Sequence, residues 1–290
     1  MTNHMFDAIR SAAQPDALFM ETADGRRWTY GDMLDASARL AAALVRLGVT
    51  SGDRVAVQVE KSPEALMLYI GCLRAGAVYL PLNTAYTLTE LEYFISDAEP
   101  RLVVVSPGVR KAVSGIAGRY GARVETLDAS GAGSLADLAG AEHADFPAAG
   151  RGPDDLAAIL YTSGTTGRSK GAMLTHDNLL SNALTLRDHW RFTAADRLIH
   201  ALPIFHTHGL FVASNVVLLS GASMILLPKF DADEVVRLLP RATVLMGVPT
   251  FYVRLARHPG LTREAASHIR LFVSGSAPLL AETHDSFREP

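Results

Sequence analysis

Residues 161 to 171 read Tyr-Thr-Ser-Gly-Thr-Thr-Gly-Arg-Ser-Lys-Gly. Thr162, Ser163, Gly164, Thr165, Thr166, Gly167 and Lys170 are the residue types there that can do chemistry, and the chemistry is phosphate binding. Glycine admits positive φ and lets backbone N–H groups come close to a ligand. Hydroxyls donate to phosphate oxygens, and lysine adds a mobile positive charge. The loop follows an apolar run, Leu156 to Leu160, that reads as a buried strand. The two common nucleotide motifs do not account for it. A Walker loop places Gly-Lys-Ser/Thr after a fixed four-residue gap, whereas Lys170 lies three residues after Gly167 and is itself followed by Gly171. A dinucleotide-binding Gly-x-Gly-x-x-Gly is absent as well. An ordinary polar turn has little use for so many hydroxyls, glycines and a lysine together, so a polyphosphate ligand is the expectation.

Such a loop needs elements to hold it. Residues 32 to 47 carry apolar side chains at helical spacing, and Gly48 stops them. Val55 to Val59 alternates with a strand period. Ser62-Pro63-Glu64 opens a helix with a capping serine and a proline at the first helical position. Thr87 to Glu90 and Asp231 to Glu234 read as capping boxes. Short apolar runs at 102–105, 124–127, 197–202, 224–227, 243–246 and 271–273 read as strands, and 176–190 and 209–220 as helices. Residues 128–155, rich in Ala and Gly, read as a looser surface excursion. The alternation predicts an α/β fold with parallel-rich sheets flanked by helices. It divides into a first α/β subdomain over 1–155 and a second, carrying the loop, over 156–290.

The chain has 290 residues, 49% of them apolar and 20% charged, an ordinary globular composition. A net charge of −3 gives no basic footprint for nucleic acid. The single cysteine, Cys72, excludes an internal disulfide and a cysteine-based metal cluster within the chain, and its apolar helical context marks it as a core residue. No secretory signal is apparent, and no apolar run approaches the ~20 residues needed to span a bilayer. A cytoplasmic enzyme with small-molecule substrates, rather than a nucleic-acid or membrane partner, fits all of this.

The loop resembles the phosphate-binding loop of the adenylate-forming superfamily, which holds acyl-CoA synthetases, with Ser169 where the family usually has proline. Two further segments carry the resemblance. Pro203-Ile204-Phe205-His206-Thr207-His208-Gly209 is similar to the Pro-x-x-His-x-x-Gly element that lines the family's acyl pocket. Leu271 to Leu279 is similar to the strand and turn that precede its adenine site. The likeness runs from about residue 15 onward. Gly167 to His176, the paired histidines of Phe-His-Thr-His-Gly and Met246 to Arg254 resemble the malonyl-CoA synthetase branch. Family members carry more sequence after the Ser-Gly-Ser-Ala-Pro turn, including residues for adenine, ribose and Mg²⁺ and a small C-terminal domain with a catalytic lysine. None of it precedes Pro290, so the resemblance implies a truncated N-terminal domain.

The resemblance implies an ATP-dependent carboxylate–CoA ligase that works through an acyl-adenylate and uses ATP, Mg²⁺ and coenzyme A. Residues 162–167 and Lys170 would cradle the β- and γ-phosphates, with no metal ligand inside the chain. Malonate or methylmalonate adds a second carboxylate that must leave water, and a guanidinium pairs a carboxylate best. Arg254, in the otherwise apolar stretch 248–255, is the candidate, unless it sits on the solvated face of a short helix. His206 would bond the substrate carboxylate, line the acyl tunnel, or serve as a core histidine. With His208 it lacks a third metal ligand nearby. Gly275 and Ser276 would touch substrate or simply form a turn, with Ala277 and Pro278 beside the nucleotide. His200 and His176 read as structural. A ligase for another small acid and, for the isolated chain, a non-catalytic nucleotide-binding fragment are the competing readings.

Overall fold

The alternation of helix and strand is borne out in a computed structural model that describes residues 2–162 and 169–288. Along the chain run α1 (His4–Ala12), β1 (Leu18–Thr22), β2 (Arg27–Thr29), α2 (Tyr30–Arg46), β3 (Arg54–Gln58), α3 (Pro63–Ala75), β4 (Val78–Pro81), α4 (Leu88–Ala98) and β5 (Leu102–Val105). Next come α5 (Arg110–Ala117), β6 (Arg123–Thr126), α6 (Ser134–Gly140), β7 (Leu156–Thr162), β8 (Lys170–Thr175), α7 (His176–His189) and β9 (Arg197–His200). A π-helical turn (His208–Ser214), α8 (Asn215–Ser220), β10 (Ser223–Leu226), α9 (Ala232–Leu238), β11 (Val244–Gly247), α10 (Pro249–Ala256), β12 (Leu271–Ser274) and α11 (Ala281–Arg288) follow.

These elements form two units, Met1–Ser11 with Gly31–Asn182, and Ala12–Tyr30 with Ala183–Pro290. In the first, the sheet order is β6-β5-β3-β4-β7-β8, parallel throughout except that β8 runs antiparallel to β7. All four residues of β5 are buried, as helices on both faces of a parallel sheet require. Ser62 caps α3 by accepting from the Ala65 N–H at 3.1 Å, Pro63 starts it, and Gly76 ends it at φ 73°. That helix is buried almost all round, Cys72 included, and burial pushes the thiol pKa up, so it is an inert core residue. Thr87 and Glu90 form the expected capping box on α4. The stretch 128–155, read as loose, holds α6.

The first unit extends to Asn182 because β7 pairs with β4 through Ala158 and Tyr79, which commits the loop-bearing hairpin to the first sheet. The sequence reading placed no strand between the loop and residue 176. β8 occupies that position as an edge strand whose residues Lys170, Ala172 and Met173 are exposed, so it lacks the apolar run of a central strand.

In the second unit the order is β12-β11-β9-β10-β1-β2, parallel except for β2. Its core gathers Ile199, Ile225, Leu238, Leu245, Tyr252 and Leu255. Asp231 caps α9 through the Glu234 N–H at 3.1 Å, one half of the expected box. Among the described residues no helix is long and apolar enough to cross a membrane.

His176, at the start of α7, is fully buried, and neither ring nitrogen has a hydrogen-bond partner. Burial, with the nearby Arg151 guanidinium and His4 adding to it and Asp155 opposing it, lowers its pKa to about 4. The unfolded chain therefore binds this proton from about pH 6.5 downward, and the native state only near pH 4. Stability on this account falls as pH drops from 6.5 to 4, by on the order of 3 kcal/mol in total. Urea midpoints measured against pH should show that slope, and His176→Phe should flatten it.

Candidate functional site

Of the loop residues, Ser163, Gly164, Thr165, Thr166 and Gly167 lie outside the described residues, but both ends of the loop are in place. β7 and β8 pair from Leu156↔Thr175 up to Thr162↔Lys170, so Lys170 is the first strand residue after the loop and faces solvent. An edge strand, not a helix, receives the chain there, and no helix dipole points back at the loop from its exit. Instead α4 braces the hairpin. The Tyr93 hydroxyl donates to the Ser169 carbonyl at 2.7 Å, and the Tyr161 hydroxyl donates to the Asp97 carboxylate. The Tyr161 and Phe94 ring centroids lie 4.6 Å apart, and those of Tyr93 and Phe94 5.4 Å apart. Burial, then the Asp97 bond, raises the Tyr161 pKa, so its hydroxyl keeps the proton it donates. Gly171 belongs to this packing: a Cβ there would stand 2.9 Å from Ile159 Cγ2 and 3.4 Å from the Tyr161 ring.

In the second unit the candidates follow the carboxyl ends of three adjacent parallel strands. His206 comes after β9, Arg254 after β11, and Gly275, Ser276, Ala277 and Pro278 after β12, at the sheet edge where α/β sheets place ligands. His208 is buried, with Nδ1 3.4 Å from the Ser276 hydroxyl. A Cβ on Gly275 would lie 3.0 Å from His208 Cε1, so the turn leaves room for the imidazole only because residue 275 is glycine. The Gly275 N–H donates to the Gly247 carbonyl at 3.1 Å, and the next residue, Ser276, is held at φ 68°, a left-handed conformation uncommon outside glycine. Ala277 and Pro278 are exposed in this turn.

His206 is exposed overall, its ring centroid 4.6 Å from that of Phe205, yet packing around the ring still lowers its pKa. Burial lowers that of His208 too. Both rings are therefore neutral near pH 7 and act as hydrogen-bond partners rather than cations. Among the described residues no group of three or more His, Cys, Asp or Glu side chains is placed to hold a metal ion. Arg254 lies on the exposed face of α10, its guanidinium carbon 4.8 Å from the centroid of Phe230, which stacks on Phe251 at 3.9 Å.

The structure thus joins Gly275, Ser276 and a histidine, but the histidine in contact is His208, not His206. Sequence reasoning did not pick out Tyr93, quoted Tyr161 only as the residue that opens the loop segment, and weighed His208 only as a metal ligand beside His206. The spacing of two from His206 was a signal for His208. Nothing local marks Tyr93, which reaches Ser169 across 76 positions.

The sequence profile of the AMP-binding enzyme family matches residues 8–290. A feruloyl-CoA synthase from Amycolatopsis sp is 35% identical over 89% of this chain and 51% of its own length. The chain spans about half the length of the curated relatives it matches. An ATP-bound MatB from Rhodopseudomonas palustris superposes with a TM-score of 0.97 at 59% identity, covering 99% of this chain and 57% of that one. The inhibitor-bound N-terminal domain of FACL13 from Mycobacterium tuberculosis superposes at 0.88 with 28% identity, covering 99% and 73%.

Gly209 starts the strictest steric prediction of this site. A Cβ there would fall 2.0 Å from the Pro203 carbonyl oxygen and 3.2 Å from Leu202 Cβ. Gly209→Ala is expected to lower stability by several kcal/mol, at least ~3, read as a drop in the thermal midpoint, whereas Gly108→Ala, with open space around it, should leave the midpoint nearly unchanged.

Proposed function

We propose, for a chain that belongs to the AMP-binding enzyme family, that the whole protein is an ATP-dependent carboxylate–CoA ligase acting on malonate, with methylmalonate as a second substrate. The observation that carries this reading is the braced hairpin whose ends pair Thr162 with Lys170. The malonate assignment is supported by the runs that resemble malonyl-CoA synthetases and by an identity to MatB of 59%, against 35% to a feruloyl-CoA synthase.

A carboxylate is a poor acyl donor, because its charge repels nucleophiles and its oxygen leaves badly. In the first half-reaction a carboxylate oxygen attacks the α-phosphorus, the bond to the bridging oxygen breaks, and pyrophosphate departs. In the second the thiol sulfur of CoA attacks the acyl carbon, gives up its proton, and AMP leaves with the bonding pair. Positioning and electrostatics carry the acceleration. Lys170, with the hydroxyls and N–H groups of 162–167, would hold the β- and γ-phosphates while charge builds on the leaving group. Magnesium bound with the nucleotide would neutralise phosphate charge. Neutral His206 and the Gly275–Ser276 turn would orient the acid, and Ala277 and Pro278 would contact the nucleotide.

Arg254 is the residue assigned to the distal carboxylate. An exposed ion pair is worth only ~0–1 kcal/mol, so its discrimination against monocarboxylic acids depends on how far the bound ligand shields the guanidinium from water. A ligase for another small acid is the second reading, favoured by the exposure of Arg254 on α10.

Carboxylate-dependent AMP formation by the whole enzyme separates the two. Lys170→Ala is expected to raise the KM for ATP by roughly 10- to 100-fold, the worth of a charge-assisted hydrogen bond, with the acid's KM little changed. Arg254→Ala is expected to raise the KM for malonate by about tenfold or more while leaving that for butyrate in place. Malonate turnover indifferent to Arg254→Ala would rule out the dicarboxylate assignment. An ATP KM indifferent to Lys170→Ala would remove the phosphate-loop reading itself.

A further inference from the structure

We infer that His200 is a positioning residue for the acid-binding side of this site, acting through the Gly209 carbonyl on the π-helical turn that carries His208. The inference rests on the ligase reading above and deepens it. His200 ends β9 and is 1% exposed. Its Nε2 lies 2.8 Å from the Gly209 oxygen and 3.2 Å from the Ser214 hydroxyl, and that hydroxyl also donates to the Gly209 oxygen at 3.0 Å. A carbonyl only accepts, so Nε2 carries the proton and the tautomer is fixed.

Two buried side-chain donors thus converge on one backbone oxygen, at the second residue of a turn that is rare in proteins. A π-helical turn bonds at a spacing of five rather than four and persists where outside contacts hold it, commonly beside functional sites. Here the outside contacts, from His200 and Pro203, fall on Gly209, and the turn's own last residue, Ser214, adds a third. His200 and Ser214 hold the Gly209 oxygen, and Gly209 itself is pressed against the Pro203 carbonyl, with no space for a side chain. The residue before it, His208, is the one whose ring meets Gly275 and Ser276. The width of the turn therefore decides where that imidazole points. Without the His200 donor the segment is free to relax toward α-helical spacing, which re-aims His208 away from the Gly275–Ser276 turn.

A purely structural histidine would change stability and leave the balance between substrates alone. In the intact enzyme, His200→Leu is expected to raise the KM for the carboxylic acid roughly tenfold, as for loss of a buried hydrogen bond, with the KM for ATP within about twofold. His200→Gln, which keeps an amide donor near the Nε2 position, should restore most of the loss. Ser214→Ala, a milder change, should raise the acid's KM about threefold and serves where His200→Leu does not fold. An unchanged acid KM, or equal rises for acid and ATP, would overturn the inference. So would a crystal structure of His200→Leu, or of Ser214→Ala where that is the variant that folds, retaining the π-helical turn over 208–214. Wild-type enzyme that forms no AMP with any carboxylic acid would instead sink the ligase reading, and the crystal structure would still decide the role of His200.

Discussion

Parallel strands all end at the same edge of a sheet, and in the second unit that constraint assembles the candidate acid-binding side. β9, β11 and β12 occupy neighbouring places, with β11 between the other two, so the segments that leave them begin side by side although they are separated by tens of residues in sequence. Pro203 to Gly209 follows the first, α10 the second, and the Gly275–Ser276 turn the third. No helix or loop of this unit brings them together by itself. The sheet does so, because its hydrogen-bonded register sets Met246 beside His200 and Val273 beside Met246. Tyr252 secures the last pair, its hydroxyl donating to Val273 O at 2.6 Å and lying 3.2 Å from Leu245 O.

The opposite edge carries the charges. Just before β9, Asp196 accepts from the Arg270 guanidinium at 2.7 Å through both its oxygens, from the Thr193 N–H at 2.8 Å and from the Thr243 hydroxyl at 2.8 Å. Thr243 and Arg270 stand just before β11 and β12. In β1, Glu21 accepts from Arg197 at 2.7 Å and from Arg241. Burial pushes both carboxyls up, but the guanidinium bonds outweigh it and hold them below the usual carboxylate range. Arg270 also satisfies the Trp190 and Arg191 carbonyls, at 3.0 and 3.1 Å. Ion pairs of Arg197, Arg241 and Arg270 thus brace the chain near the amino ends of β9, β11 and β12, while the carboxyl ends keep neutral histidines, a strained serine and glycines. That separation lets the site tolerate backbone strain, because the strands beneath it are tied elsewhere.

Much of the fold was legible because its signals are local. Capping serine and threonine, a proline at the first helical position, glycine after the last helical residue and short β-branched runs each act within about one turn of chain, and Ser62, Thr87, Gly48 and 102–105 all behave as read. Among the misses are two elements whose stability comes from partners. β8 is a half-exposed edge strand made by pairing with β7, and the helix expected over 209–220 begins as a π-helical turn held from outside by His200.

The sequence by itself determined the α/β class, the glycines, hydroxyls and lysine of the proposed phosphate loop and the paired histidines of the second motif, since residue type and spacing along the chain are all those inferences need. Tertiary structure alone decided that Tyr93 holds Ser169, that His208 rather than His206 meets Ser276, that Arg254 lies exposed over Phe230, and that His200 reaches Gly209. Each of those depends on where a sheet or a helix carries two positions relative to one another. A hydrogen bond or ring contact requires groups within about 3 to 5 Å, a distance that spacing in sequence does not encode once the chain has turned back on itself.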